Sequence, residues 1–146
     1  MSLPDYNTDV YAWSKAQAEA LRAKDWAALD VANLAEEIES LGNGQAHAVE
    51  SYLSVLCLHL LKWRYQPARR GKSRRFSMQV ARQRIARRLQ KSPSLRPQVP
   101  GLLADAYADA RRLAATQTDL PLATFPEACP WPPAQVLDED YLPEVG

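Results

Sequence analysis

The sequence has few of the residues that β-strands, disulfide frameworks and phosphate-binding loops require. Only 14 of its 146 residues are Val, Ile or Thr, against 42 Ala and Leu, so strands have little to build from. Two cysteines and no C-x-x-C pair exclude a disulfide framework. Five glycines without a Gly-x-Gly-x-x-Gly or Walker pattern leave little for a phosphate-binding loop. The composition therefore predicts an all-α fold.

Long apolar runs are also missing. The longest, from Leu53 to Leu61, is interrupted by Ser54 and His59 and is much shorter than the ~20 residues of a membrane span. Residues 1–10 contain no basic start followed by an apolar block, which a secretory signal would have. We therefore expect no membrane association and a cytoplasmic location.

The charges are distributed unevenly along the chain. Residues 1–50 and 105–146 each have a net charge of −6, whereas residues 51–104 contain thirteen bases and no acid. The overall formal charge of +1 conceals this separation. A block of 54 residues without a carboxylate needs negative charge either elsewhere in the fold or on a partner.

Apolar periodicity predicts a bundle of about five helices. The first runs from about residue 9 to 24, with Thr8 as its N-cap. Asp30 can cap a second helix, which Gly42 and Gly44 are expected to end or bend. The apolar stripe of this second helix is expected to face the core and consists of Val31, Leu34, Ile38 and Leu41.

The third predicted helix, from about Gln45 to Tyr65, is apolar around most of its circumference and is therefore expected at the centre of the core. Pro67 provides no N–H and should end it. The fourth helix runs from about residue 74 to 91, with Ser73 as its N-cap, and the fifth from about residue 100 to 117.

The last part of the chain, residues 118–146, is rich in proline. It is predicted to be an extended wrap across the bundle with at most a short helical turn near residues 134–137. The residues expected to anchor it are Leu120, Leu122, Phe125, Trp131 and Leu137. Because no interdomain linker is visible, we expect one helical domain over residues 1–146, with its core at about 9–117.

The sequence contains few side chains that could carry out catalysis. His47 and His59 lie roughly 120° apart on the predicted third helix, so they cannot form the Glu-x-x-His pairs of a di-iron bundle. The spacing of His47 and Glu50 fits an exposed pair better than a metal site. Cys57 lies where burial makes a thiol inert, and Cys129 has no neighbouring cation to lower its pKa. We therefore expect no catalytic residue, metal or cofactor.

The basic block carries the main functional hypothesis. Exposed lysine and arginine attract phosphate backbones through counterion release. We predict a surface for nucleic acid or another anion that consists of Arg69, Arg70, Lys72, Arg74, Arg75, Arg84, Arg87 and Lys91. The alternative is a protein-interaction domain or a homodimer, in which these charges pair with acids such as Glu36 or Asp109, or contact an acidic protein.

A second candidate site lies at the end of the third predicted helix. Polar and aromatic side chains are concentrated there at His59, Lys62, Trp63 and Tyr65. Cations are favoured at any helix C-terminus, and a histidine in such a place is more often a hydrogen-bonded core residue than a catalyst. We therefore treat these residues as a polar site without an assigned chemistry.

Four ordered motifs resemble a bacterial protein family of unknown function, number twenty-nine in the series of such domains. They are LAEEIESLG at 34–42, HLLKW with YQP at 59–67, SPSLRP at 92–97, and LP, FPE and CP within 120–130. The similarity extends from Tyr11 to Pro143. It implies an all-helical bacterial domain and no substrate, cofactor or catalytic residue. Residues 99–101 depart from the family pattern, so the start of the fifth helix stays open.

Overall fold

The computed structural model describes residues 2–144, which contain five α-helices and no β-strand. Helix α1 spans Val10–Ala23, α2 Val31–Tyr65, α3 Lys72–Lys91, α4 Val99–Thr118 and α5 Pro133–Leu137. Short 3₁₀ turns lie at Trp26–Ala28, Pro67–Arg69, Pro93–Gln98 and Leu122–Thr124. The predicted all-α fold is confirmed. None of the described helices has a stretch that is both long and apolar enough to cross a bilayer.

The chain divides into two compact units, residues 1–43 and 44–146. The first contains α1 and the beginning of α2, and the second contains the remainder of α2 together with α3, α4 and α5. A single-domain organisation therefore stays a prediction.

Helix α2 continues through Gly42 and Gly44, so the predicted end of the second helix is wrong. Neither glycine has a positive φ, and therefore neither forms the left-handed conformation that commonly follows the end of a helix. A glycine inside a helix costs only about 1 kcal/mol relative to alanine, which the good helix formers on both sides can offset. The second and third predicted helices are one helix of 35 residues.

The N-caps of α1 and α2 are both aspartates. Asp9 caps α1, because its side chain accepts a hydrogen bond from the Ala12 N–H at 3.0 Å, and the predicted cap Thr8 is wrong. Asp30 caps α2 as predicted: its Oδ1 accepts from the Asn33 N–H at 3.4 Å. A short polar side chain therefore fixes the start of each helix.

The starts of α3 and α4 lie slightly earlier than predicted. Gly71 precedes α3, in an extended conformation with no side-chain cap, so Ser73 lies inside the first turn and is not the N-cap. Helix α4 begins at Val99, which places Pro100 in the first turn, where a missing N–H costs nothing.

The core of the second unit is built around the C-terminal half of α2, as predicted for residues 45–65. The residues of this helix with no exposed surface are Val49, Leu53, Leu56, Cys57, Leu60 and Leu61. Helices α3 and α4 pack against them with Met78, Ala81, Ile85, Leu89, Leu103, Ala106, Tyr107 and Ala110.

The chain after α4 packs on this core through most of the predicted anchors. Phe125 and Trp131 are buried, and Leu120 and Leu137 are partly buried against the core. Leu122 is 43% exposed and is not an anchor. The main chain is also held by α4, because the Tyr107 hydroxyl donates to the Pro126 carbonyl.

The first unit leaves its predicted core stripe in solvent. Val31, Ile38 and Leu41 are 68%, 67% and 72% exposed, and only Leu34 is partly buried. The prediction that this stripe faces a core is therefore wrong. Contacts to α1 are made instead by the cap residue, since the Trp13 Nε1–H donates to Asp30 Oδ2 at 3.0 Å.

Candidate anion-binding site

No cation of residues 51–104 has a carboxylate of residues 44–144 within 4 Å. The ion pair found in the described part of the chain joins Arg112 to Asp109, and both residues lie in α4. Asp109, which the sequence offered as a partner for the basic block, is thus paired with an arginine outside it. The predicted internal charge pairing is not seen in the second unit.

Three cationic side chains and a histidine lie close together where α2 ends and α3 begins. His59, Lys62 and Gln66 recur at i, i+3 and i+7, which places them along one face of α2 and its extension. The Arg74 Nη2 donates to Gln66 Oε1 at 2.9 Å. Lys62 donates to the Gln117 side chain at the end of α4.

We call the group of His59, Lys62, Arg69 and Arg74 the cationic cluster. Burial, followed by the charges of Lys62 and Arg74, lowers the pKa of His59. Burial, followed by Arg74 and Arg69, lowers the pKa of Lys62. Burial and then Arg69 lower the pKa of Arg74. Because every charge that acts on these three groups is positive, the cluster produces a positive field that favours an anion.

Two side-chain nitrogens of the cationic cluster, His59 Nδ1 and Arg74 Nη1, are buried without a hydrogen-bond partner anywhere in residues 2–144, and the neighbouring Arg70 Nη2 is in the same state. The two arginine nitrogens are donors, whereas His59 Nδ1 is a donor only in the tautomer that carries the ring proton there. An unpaired buried donor costs roughly 1–3 kcal/mol, so such groups call for an explanation. An anion with several acceptor oxygens would satisfy them. The sequence interpretation of His59 as a hydrogen-bonded core residue is not supported at Nδ1.

Trp63 organises the arginines at the start of α3. Its ring is 6% exposed, and the guanidinium carbons of Arg70 and Arg75 lie 5.2 and 5.4 Å from the ring centroid. The Arg70 Nε also donates to the Trp63 carbonyl at 2.8 Å. Cation–π contacts of this kind stabilise the arginine positions. Trp63 therefore positions basic side chains rather than facing solvent.

The outer face of α3 extends the positive surface away from the cationic cluster. The buried residues Met78, Ala81, Ile85 and Leu89 occupy one side of the helix. The exposed cations on the opposite half of the circumference are Lys72, Arg84, Arg87 and Lys91, whereas Arg75 is exposed at the side of the helix beside Trp63. Gln79, Gln83 and Gln90 lie among them. The 20 residues of α3 extend about 30 Å and include no acid.

Tyr65, from the second predicted site, and Arg88, a base of the central block outside both predicted sites, contact structural neighbours instead of the cationic cluster. Tyr65 packs edge-on against Phe125, with 5.1 Å between ring centroids, and does not join the cationic cluster. Arg88 donates to the Gln45 side chain at 2.9 Å. Sequence reasoning missed Gln66 and Gln117. The spacing of Gln66 from His59 could have revealed the first, but the contact of Gln117 depends on tertiary packing.

The two thiols differ in the direction of their pKa shifts. Cys57 is fully buried, and its hydrogen bond with Cys129, together with burial, raises its pKa, as the sequence indicated. The same hydrogen bond, together with the bond to the Trp131 backbone, lowers the pKa of Cys129, and no cation contributes to this shift. Within residues 2–144, no three His, Cys, Asp or Glu side chains are grouped so that they could hold a metal ion.

Comparison with known proteins assigns the chain to a family. Residues 6–142 match the family described as "Domain of unknown function DUF29". No curated protein and no solved structure matches the chain. The match includes the α2 motifs that form the cationic cluster and the proline-rich motifs that cover the core. The chain therefore belongs to the DUF29 family.

Proposed function

We propose that the chain is a non-enzymatic binding domain whose Arg-rich loop, residues 68–72, and helix α3 contact nucleic acid. The observation that supports this proposal most directly is the absence of carboxylate partners for these cations in residues 44–144. The proposed contact residues are Arg69, Arg70, Lys72, Arg74, Arg75, Arg84, Arg87 and Lys91. We also propose that the protein is located in the cytoplasm, where nucleic acid is accessible.

The dimensions of α3 suit a phosphate backbone. Double-stranded DNA carries one negative charge per roughly 1.7 Å of its axis, so a helix of about 30 Å can face several phosphates. The exposed glutamines Gln79, Gln83 and Gln90 add neutral donors between the cations. Contacts of this kind are made to phosphate oxygens and therefore give binding with little sequence preference.

Base stacking is expected to contribute little. Phe76, which is 66% exposed, is the aromatic residue that α3 offers to solvent. Proteins that hold single strands usually stack successive bases on several aromatic side chains. The proposal is therefore backbone binding driven by charge, for which a duplex is the simplest ligand.

A salt series with a fluorescent duplex tests the proposal. We expect binding at about 50 mM salt, with a log–log slope of about −3 or steeper, because each neutralised phosphate contributes about −0.9. The double variant Arg84→Gln/Arg87→Gln should reduce the steepness of the slope by about 2. Fluorescence anisotropy measures both quantities.

The matched control is Arg22→Gln/Arg96→Gln, which removes the same charge from exposed positions outside the proposed surface. It should leave the slope near the wild-type value. If the wild-type protein does not bind at about 50 mM salt, or if both double variants lose affinity equally, the proposal is wrong.

The exposed stripe of the first unit favours a second candidate function, a protein-interaction domain or homodimer. Val31, Ile38 and Leu41 form an apolar row on α2, with Glu36, Glu37 and Glu39 beside it. Such rows are typical of surfaces that pair with another helix. Light scattering distinguishes a homodimer from a monomer, because a monomeric mass at high protein concentration would exclude the homodimer.

A further inference from the structure

We infer that the cationic cluster binds a phosphate monoester, the terminal phosphate of a nucleic acid strand. The identity of the macromolecule rests on the proposed function, whereas the phosphate site depends only on the residues of the cationic cluster. The cluster differs from the exposed face of α3 because His59, Lys62 and Arg74 are partly buried and two glutamines, Gln66 and Gln117, accept hydrogen bonds from its cations.

Charge favours a doubly charged ligand at this place. Arg69 and Arg74 lie near enough to Lys62 to lower its pKa, Arg69 also lowers the pKa of Arg74, and no anionic group opposes either shift. Coulomb attraction to these cations doubles when the ligand carries two negative charges instead of one. A phosphate monoester is largely a dianion near neutral pH, whereas a backbone phosphodiester has a single charge.

Hydrogen-bond donors also favour a terminal phosphate. Arg74 Nη1 is buried and has no acceptor in the described part of the chain, and His59 Nδ1 is buried there without any hydrogen-bond partner. The second Arg74 nitrogen is held by Gln66 at 2.9 Å, which fixes the guanidinium plane. A monoester presents three oxygens free of substituents, so it can accept from more donors at once. A phosphate inside a strand has two such oxygens and two bulky substituents.

The cluster is preorganised from three helices. His59 and Lys62 belong to α2, Arg74 to α3, and Gln117, which accepts from Lys62, to α4. Trp63 holds Arg70 and Arg75 beside them. Donors fixed in this way lose little conformational entropy when a ligand binds.

Inorganic phosphate added to the wild-type protein tests the site directly. At constant ionic strength, with chloride as the replaced anion, we expect a saturable shift of the His59 imidazole resonances in the NMR spectrum. His47, which is exposed on the same helix, is the internal reference and should not shift in this way. If His59 shows no saturable shift, the inference is wrong.

Two oligonucleotides of one sequence, with a 5′-phosphate or a 5′-hydroxyl, test the macromolecule. The phosphorylated strand should bind about tenfold more tightly, as expected for a charged hydrogen bond. Arg74→Gln should bring the ratio close to one, whereas the control Arg96→Gln, at an exposed position outside the cluster, should preserve it. If Arg74→Gln does not fold, His59→Gln takes its place.

The outcomes separate the inference from the proposed function. Equal binding of both strands overturns the inference and leaves the proposed function standing. If neither strand binds but phosphate still saturates the His59 shift, the proposed function is wrong and the phosphate site is supported. A preference that Arg74→Gln removes supports both.

Discussion

Arginines that are adjacent in sequence have different roles in this protein. Arg82 is 3% exposed, and its Nε donates to the Val136 carbonyl at 2.8 Å while its Nη1 lies 3.5 Å from the Glu139 carbonyl. Burial lowers its pKa, which the acidic residues around Asp138 partly oppose. Arg84, two residues later, is exposed. Arg82 therefore fastens the end of the chain, and Arg84 remains available to a ligand.

Replacement of Arg82 should destabilise the protein. Arg82→Ala removes the packing of the side chain and leaves the Val136 carbonyl without its donor. We expect the free energy of unfolding to fall by about 2–3 kcal/mol. Urea denaturation followed by circular dichroism measures this change.

The matched control is Arg84→Ala, which should change the free energy of unfolding by less than about 0.5 kcal/mol because the side chain is exposed. Under native conditions, Arg82→Ala should keep the wild-type salt slope for duplex binding. If the two variants were equally stable, Arg82 would not hold the C-terminal segment.

At the scale of helices, local sequence patterns predicted which residues are helical better than they predicted what packs against each helix. The long apolar period of residues 45–65, the stop before Pro67 and the cap at Asp30 were all readable, since each depends on neighbouring residues. Gly42 and Gly44 gave a wrong end, because glycine permits a helix C-terminus but does not require one. The exposure of Ile38 was not readable, since periodicity shows a face and not what covers it.

The candidate site shows the same division. The basic residues and the group around His59 were visible as separate features of the sequence. Their meeting was not, since it depends on how α3 turns back toward α2 after Gly71. The contact of Lys62 with Gln117 spans 55 residues, and no local pattern predicts such a separation.

The glycines inside α2 make the continuity of the helix testable. Neither has a positive φ, and a Cβ added at either position meets no atom within 4 Å. Gly42→Ala and Gly44→Ala should therefore each raise the free energy of unfolding by about 0.5–1 kcal/mol, since alanine has the higher helix propensity. Thermal and urea denaturation measure the gain.

Ala35→Gly, at an exposed position in the same helix, is the reverse control and should lower the free energy of unfolding by a similar amount. A loss of stability in either alanine variant would mean that the helix is interrupted at that glycine in solution.

For the whole molecule, the near-zero net charge conceals an uneven distribution of charge along the chain. The formal charge of +1 arises from a central block with thirteen bases and no acid between two acidic segments. Most proteins of such balance would place opposite charges side by side on the surface. Within residues 44–144, the single ion pair joins two residues of α4 and leaves the cations of α3 to repel one another. The folded state therefore carries electrostatic repulsion that a bound anion would relieve.

This repulsion predicts an unusual response to salt. Raising sodium chloride from about 10 mM to about 0.1 M shortens the Debye length from about 30 to about 10 Å, which screens the cations of α3 from one another. The free energy of unfolding should increase by about 1 kcal/mol over this range, and Arg84→Gln/Arg87→Gln should flatten the dependence. Urea denaturation at each salt concentration measures it. A stability that falls as salt rises would instead mean that the block is paired with carboxylates of the same chain, and both the nucleic-acid proposal and the phosphate site would lose their physical basis.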